Sequence, residues 1–408
     1  PVVVNTDGTV SVAAQPTLSP SVGTATQFDA GTVAGADVNV VYDTNSSRVV
    51  IDYKDLSTGY HKAVVGTVNA ANNSISFGTP VVYSSYRRSY GGATFDSTNN
   101  KVVISFRPAD AGGEGYGIVA TVDPSNNSIS FGTPVRFEAA VVEYMAATFD
   151  SNAGKVVFVY VDNGNSARGT AIVGTVSGTS ISFGSAVVFN SGITSSTQVT
   201  FDSTNNKIVC CYRDHGNSNY LTGVVGTVSG TAISFGSEAA ANNFYSVEVG
   251  LGFAGGGKVV AVIRKNSDGT GHAYVGTVSG TNISFGSAVA VNGSNDINRS
   301  RVVLDESTGR VVIAYDDDNN NYKGVFVNGI VNGTSITLSS ATTFANHPVY
   351  GTIGTAYDPE GKRVVIAFTE VDATNKGKAV VAIGGGVSTN LTAENYIGIT
   401  NGAVVSEV

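Results

Sequence analysis

The chain has no tryptophan, one methionine, two cysteines and only four histidines in 408 residues. Cys210 and Cys211 are adjacent. Neighbouring strand residues point to opposite faces, which argues against a disulfide between them, so the fold is not expected to depend on one. His61, His215, His272 and His347 are scattered without metal-binding spacing. No Ser–His–Asp pattern, GxSxG elbow or phosphate loop is present. The expectation is a non-enzyme with no cofactor and no metal. Charged residues make up 13% and the net charge is −8. An acidic surface disfavours nucleic acid and anionic membranes. No apolar run reaches the length that spans a bilayer, so membrane insertion is not expected. The opening PVVVNTDG lacks the basic and apolar regions of a signal peptide. No stretch carries a helical period.

What is present is glycine, 50 residues of it, and 42% apolar residues, enough for a large core. One phrase dominates. GTVSGTSISFGS (174–185) returns as GTVSGTAISFGS (226–237) and GTVSGTNISFGS (276–287), with looser copies at 66–80, 120–134 and 328–340. The marker glycines Gly78, Gly132, Gly184, Gly236 and Gly286 fall about 50–55 residues apart. A fixed period of that size signals a repeat architecture.

A second phrase is an apolar stretch ending in Asp, a polar turn, then a basic residue and an apolar strand. It occurs seven times, at 38–53, 92–106, 146–160, 199–212, 251–263, 302–315 and 355–368. The fifth copy lacks the Asp and turns on Gly255, Gly256 and Gly257. Runs of Val, Ile, Phe and Tyr bounded by Asn, Gly, Ser and Asp read as strands. Each repeat therefore reads as strand A (ATFD), strand B (KVVISF), strand C (GIVATV) and strand D (SISFGTPVRF). Strand B is nearly all apolar, which predicts cover on both faces. The expected fold is all-β: a seven-bladed β-propeller of four-stranded antiparallel blades. A solenoid is the minor alternative. The segment 19–31 matches a strand D with no A, B or C before it, and the seventh repeat lacks a D. The N-terminal strand is thus expected to complete the last blade, leaving no open edge. The predicted organisation is an N-terminal segment (1–18), the propeller (19–384) and a C-terminal tail or linker to a further domain (385–408).

Comparing the repeats with one another separates two faces. The A–B and C–D turns barely vary, while the D–A and B–C loops differ strongly. Asp96, Asp150, Asp202, Asp305 and Asp358 open the A–B turns and are expected to accept backbone N–H groups there. The D–A loops should ring the central opening. They carry the candidate ligand-binding residues Tyr86, Arg87, Arg88, Tyr90 and Tyr144, together with Phe244, Tyr245, Arg299, Arg301 and Tyr350. Aromatic and arginine side chains on rigid scaffolds are frequent contact residues. Loop packing at the mouth is the plainer explanation of the same residues. Arg87, Arg88, Arg299, Arg301, Glu143 and Tyr350 could also supply a sialidase-type set, but their spacing is unspecific. The run 316–321 (DDDNNN) reads as a solvated acidic loop in preference to a calcium site. Asp52 takes an otherwise apolar strand B position and needs partners.

The run AIVGTVSGTSISFGSAVVFNSG (171–192), with FDSTNNKIV-type strands between copies, resembles the repeats of large structural proteins of marine bacteriophages. STNLTAENYIGITNGA (388–403) is similar to the segment that follows such repeats. The resemblance implies a virion protein, in a tail fibre or similar appendage, that binds a host surface glycan or protein through the variable face. Its partners would be that host molecule and other virion proteins. It also admits a homo-oligomer, although no heptad segment supports one. A purely structural spacer, decoration or assembly module of the virion is the alternative. Another is a bacterial secreted or cell-surface adhesin, located outside the cell or on its surface. Similar repeats also occur in microbial surface proteins.

Overall fold

In the computed structural model the described residues are 2–4, 10–12, 20–33, 38–85, 88–108, 112–371 and 375–384, with backbone alone at 2–4, 10–12 and 88–90. Strands dominate, and two short 3-10 turns, Asn163–Asn165 and Asp318–Asn320, are the helical elements among them. Among the described residues all the paired strands run antiparallel, and they build one recurring unit. In the second repeat, Arg88–Asp96 pairs with Lys101–Pro108, which pairs with Gly115–Asp123. Outside these lie Ser128–Phe131 and Val135–Glu138, both on the same third strand.

Strand D was expected as one element and is two. The break falls at the marker glycine. A Cβ on Gly132 would lie 1.8 Å from the Thr179 carbonyl oxygen, in the C–D turn of the next repeat. Gly78, Gly184, Gly236 and Gly286 face Asn127, Thr231, Thr281 and Thr334 in the same way. Neighbouring repeats therefore touch backbone to backbone, and only glycine allows that approach. Two D–A connections expected as loops are extended throughout, within the strands Val187–Asp202 and Thr342–Asp358.

The A–B turns form as the sequence requires. Asp96 Oδ1 accepts from the N–H groups of Thr98 and Asn99 at 3.0 and 2.9 Å. Asp150, Asp202 and Asp358 do the same two and three residues on. In the fifth copy Gly255, Gly256 and Gly257 all take left-handed φ, at 82°, 57° and 70°.

Strand B is covered on both sides because alternate residues enter different cores. Val103 belongs to a cluster shared with the third repeat, while Val102 and Ile104 belong to one shared with the first. Cys210 and Cys211 divide likewise between two clusters, and both are free thiols. Seven such clusters are each shared by two neighbouring repeats. One of them joins Val365, Ala367 and Val381 of the last repeat to Val40 and Ile51 of the first.

The chain ends meet in that region. Ser21 and Val22 pair with Ile383 and Ala382, and Thr26 and Gln27 pair with Ala379 and Lys378. The N-terminal strand thus occupies the strand D position of the seventh repeat. Arg363 Nε donates to Asn73 Oδ1 at 2.6 Å, linking the last repeat to the first. Arg48 donates to Asn127 at 2.6 Å in the matching position between the first and second. Val2–Val4 pairs with Val10–Val12 as a separate hairpin. The segment 385–408 lies outside the described residues.

Candidate functional site at the axial cavity

Strand A of the repeats carries a bulge near its start. The register slips between Glu143 and Ala146, Ser195 and Gln198, Val247 and Val249, and Asn298 and Arg301. At the slip, Tyr144, Ser196, Glu248 and Arg299 take φ of 48°, 53°, 53° and 54°. Gly351 does so in the seventh repeat, at 76°. Left-handed φ at a non-glycine residue costs about 1–2 kcal/mol. Four such residues at one repeated position re-aim four different side chains, as bulges near binding sites do.

They converge. Asn39, Gly91, Tyr144, Ser196, Glu248, Arg299 and Gly351, one from each repeat, line a single cavity of about 300 Å³. It opens on the face of the D–A and B–C loops, the side that varies between repeats. Links between strands A surround it: Thr197 Oγ1 donates to the Tyr144 carbonyl, Glu248 accepts from the Arg299 N–H, and Val38 N–H donates to Thr352 Oγ1 at 2.7 Å.

The charged part of the wall lies in the fifth and sixth repeats. Arg299 Nη1 sits 2.9 Å from Asp316 Oδ2. Asp316 is fully buried, and its Oδ1 has no hydrogen-bond partner. Burial pushes this carboxyl up to about 7 against the opposing pull of Arg299, with Asp318 and Glu248 adding to the rise. The acidic loop expected at 316–321 is therefore corrected. Asp316 and Asp317 end a strand (Arg310–Asp317) and are buried. Asp317 accepts from Asn292 Nδ2 at 2.9 Å, and Asp318 accepts from Asn298. Loss of solvation pulls the Arg301 guanidinium below its ordinary value, opposed by Glu248. No group of three or more metal-binding side chains occurs among the described residues.

The ten candidates fare differently. Tyr144, Arg299 and Arg301 line the cavity. Tyr350 is 60% exposed, with the Arg299 guanidinium 5.7 Å from its ring centre. Tyr245 is 41% exposed and lies 5.6 Å from the Arg213 guanidinium. Phe244 packs on the core of its repeat and tilts against His272 at 5.4 Å. Tyr86 and Arg87 lie outside the described residues, and for Arg88 and Tyr90 only the strand is described. Tyr322, in a B–C loop, is also exposed and was not singled out from the sequence. Asp52 has the partners it needs, Asn39 Nδ2 at 3.0 Å and the Tyr83 hydroxyl at 2.7 Å.

Sequence spacing also missed a contact between Ser195 and His215. Ser195 Oγ is 2.9 Å from His215 Nε2 and accepts from Arg213 Nε at 2.7 Å. Burial and then Arg213 pull His215 below its usual value. The imidazole and the Ser195 hydroxyl share one hydrogen bond, whose direction follows the histidine tautomer, and the guanidinium donates to the same oxygen. Ser195 is 4% exposed, so this trio reads as a bracket for the bulge.

No protein-family model and no curated protein matches the chain. Among solved structures, BP39L lectin from Burkholderia pseudomallei superposes with a TM-score of 0.65 over 87% of this chain and 98% of that one, at 10% identity. NanB sialidase from Streptococcus pneumoniae gives 0.47 over 88% and 70%, at 13% identity. AofleA from Arthrobotrys oligospora gives 0.47 over 79% and 90%, at 9% identity. The likeness to BP39L is one of architecture.

Proposed function

We propose that the chain is a closed seven-bladed propeller whose variable face binds a carbohydrate on a cell surface, and that it serves as a host-attachment part of a phage virion appendage. The observation that carries the binding role is the axial cavity. Four strained bulges aim different side chains into one opening, and backbone strain of this kind is maintained where a site needs it. Tyr245 and Tyr350, in D–A connections, and Tyr322, in a B–C connection, are exposed. Flat aromatic faces beside polar donors suit sugar rings, which present an apolar face and a rim of hydroxyls. The shared architecture with a lectin supports this reading. The virion role rests on the repeat phrases alone.

The test is binding of the labelled chain to candidate host cells before and after periodate oxidation of their surface sugars. A variant with Tyr144→Gly, Tyr245→Ala and Tyr350→Ala is run beside it. Saturable binding that periodate abolishes and the folded variant lacks is expected. Undiminished binding by the variant, or binding indifferent to periodate, would overturn the assignment.

A further inference from the structure

One layer below the bulges, strand A presents a second ring of residues. Asn39 stands opposite Asp52, Gln198 opposite Cys211 and Arg301 opposite Ala314. In the other four repeats that position is Gly92, Ala146, Gly250 or Gly354, opposite Ser105, Val159, Val262 and Ala367. The layer therefore holds three polar side chains among four small residues. All three polar residues line the axial cavity.

Their hydrogen bonding is unequal. Asn39 is engaged with Asp52. Arg301 donates from Nη1 to the carbonyl of its neighbour Ser300 at 3.0 Å, and no carboxylate lies within ion-pair distance of it among the described residues. Gln198 has no side-chain partner among them. Arg299 differs, because it is paired with Asp316 at 2.9 Å. A guanidinium withdrawn from bulk water, with Glu248 near it but no ion pair, is costly, and it keeps most of its donor fork unused. Glu248, the carboxylate in the wall, is committed to the Arg299 N–H.

We infer that the axial cavity is an anion site centred on Arg301 and Gln198, and that it takes the singly charged oxyanion of an acidic saccharide, a uronic carboxylate or a sulfate ester. The inference rests on the carbohydrate-binding reading above and names its ligand class. A planar fork of N–H donors matches a carboxylate or sulfate edge. Glu248 and Asp316 nearby disfavour a doubly charged phosphate, since like charges in a shielded cavity repel strongly.

The experiment is calorimetric titration of the full chain with three probes: a glucuronate-containing oligosaccharide, its carboxyl-reduced form, and that reduced form carrying a sulfate ester. Arg301→Gln, Arg301→Lys and Gln198→Ala are titrated alongside, with circular dichroism to confirm folding. The parent should bind an acidic probe at least about tenfold more tightly than the neutral one, since a charged hydrogen bond is worth that much. Arg301→Gln should remove the preference, read as the ratio of acidic-probe to neutral-probe affinity within the same variant. Arg301→Lys should keep part of it. The two acidic arms tell carboxylate from sulfate. Equal affinity of the parent for all three probes overturns the anion site and leaves the carbohydrate reading standing. A parent that binds none of them while folded overturns the anion site, and loss of periodate-sensitive cell binding as well overturns the carbohydrate reading. Retained preference in folded Arg301→Gln overturns the assignment to Arg301.

Discussion

Phe28→Ala tests how firmly the N-terminal strand completes the seventh repeat. Phe28 follows the pairing of Thr26 and Gln27 and is 3% exposed. Its ring meets Tyr53 edge-on at 4.9 Å and Phe77 at 5.9 Å, both in the first repeat. The side chain therefore pins the join from within. An aromatic side chain buries at least roughly 150 Å², and at ~25 cal/mol per Å² its removal costs about 4 kcal/mol. That agrees with the range of about 3–5 kcal/mol for truncating a core phenylalanine. Phe189 is the internal control. It is 6% exposed and tilts against Tyr212 at 5.1 Å and Phe235 at 5.6 Å, at a junction joined by continuous chain. Guanidinium unfolding followed by near-ultraviolet circular dichroism suits a chain with 18 tyrosines and no tryptophan. Both variants should lose about 4 kcal/mol. If Phe28→Ala stays within about 0.5 kcal/mol of the parent while Phe189→Ala loses the full amount, the strand is a loose appendage and the reasoning is wrong.

Gly132→Ala forces a Cβ to 1.8 Å from the Thr179 carbonyl and should cost about 1–3 kcal/mol or more, read as a lowered denaturant midpoint. Ser196→Gly relieves a left-handed φ of 53° and should raise stability by about 0.5–1 kcal/mol, while Ser196→Val should lower it. Burial raises the Asp55 carboxyl, but hydrogen bonds from Lys62, Ser57 and Thr58 outweigh this and hold it at about 2. Its contribution is therefore present at neutral pH and lost as pH falls from about 4 to about 2, so the penalty of Asp55→Asn should shrink over that window in pH-dependent melts. Asp316 has the opposite sign. With its carboxyl raised to about 7, the folded state loses stability as pH climbs from about 4 to about 7, and Asp316→Asn should flatten that slope.

Much of the scaffold was legible because it repeats. Asp96 and its equivalents forecast their own turns from local chemistry, since the carboxylate reaches N–H groups two and three residues on. The match of 19–31 to a strand D gave the pairing with residues 378–383. The variable face was legible as a contrast between copies, and it carried Tyr144, Arg299 and Arg301 to the cavity. What failed to show were features set by neighbours distant in sequence. The break in strand D depends on a carbonyl one repeat away, so the marker glycines announced the period without announcing their cause. The bulges left no letter pattern, because Tyr144, Ser196, Glu248 and Arg299 share a φ and nothing else. The run at 316–321 looked solvated by composition, yet two of its aspartates finish a buried strand whose partners come from residues 292–299. Phe244 looked like an exposed contact residue and packs on the core, as an aromatic does where it has an apolar neighbour.

The pairing of Ser21 with Ile383 has a mechanical consequence. The chain enters the repeats at residue 20 and leaves them at residue 384, side by side, on the face of the A–B and C–D turns. The axial cavity opens on the other face. Anything covalently continuous with either flank therefore holds the molecule from behind, with its mouth turned outward. A pull shared by both flanks passes through one edge of one sheet. A pull that separates the flanks acts on the hydrogen bonds between residues 21–27 and 378–383 one after another, like a zip opened from its end. That short seam is the first place where such a tension would open the structure.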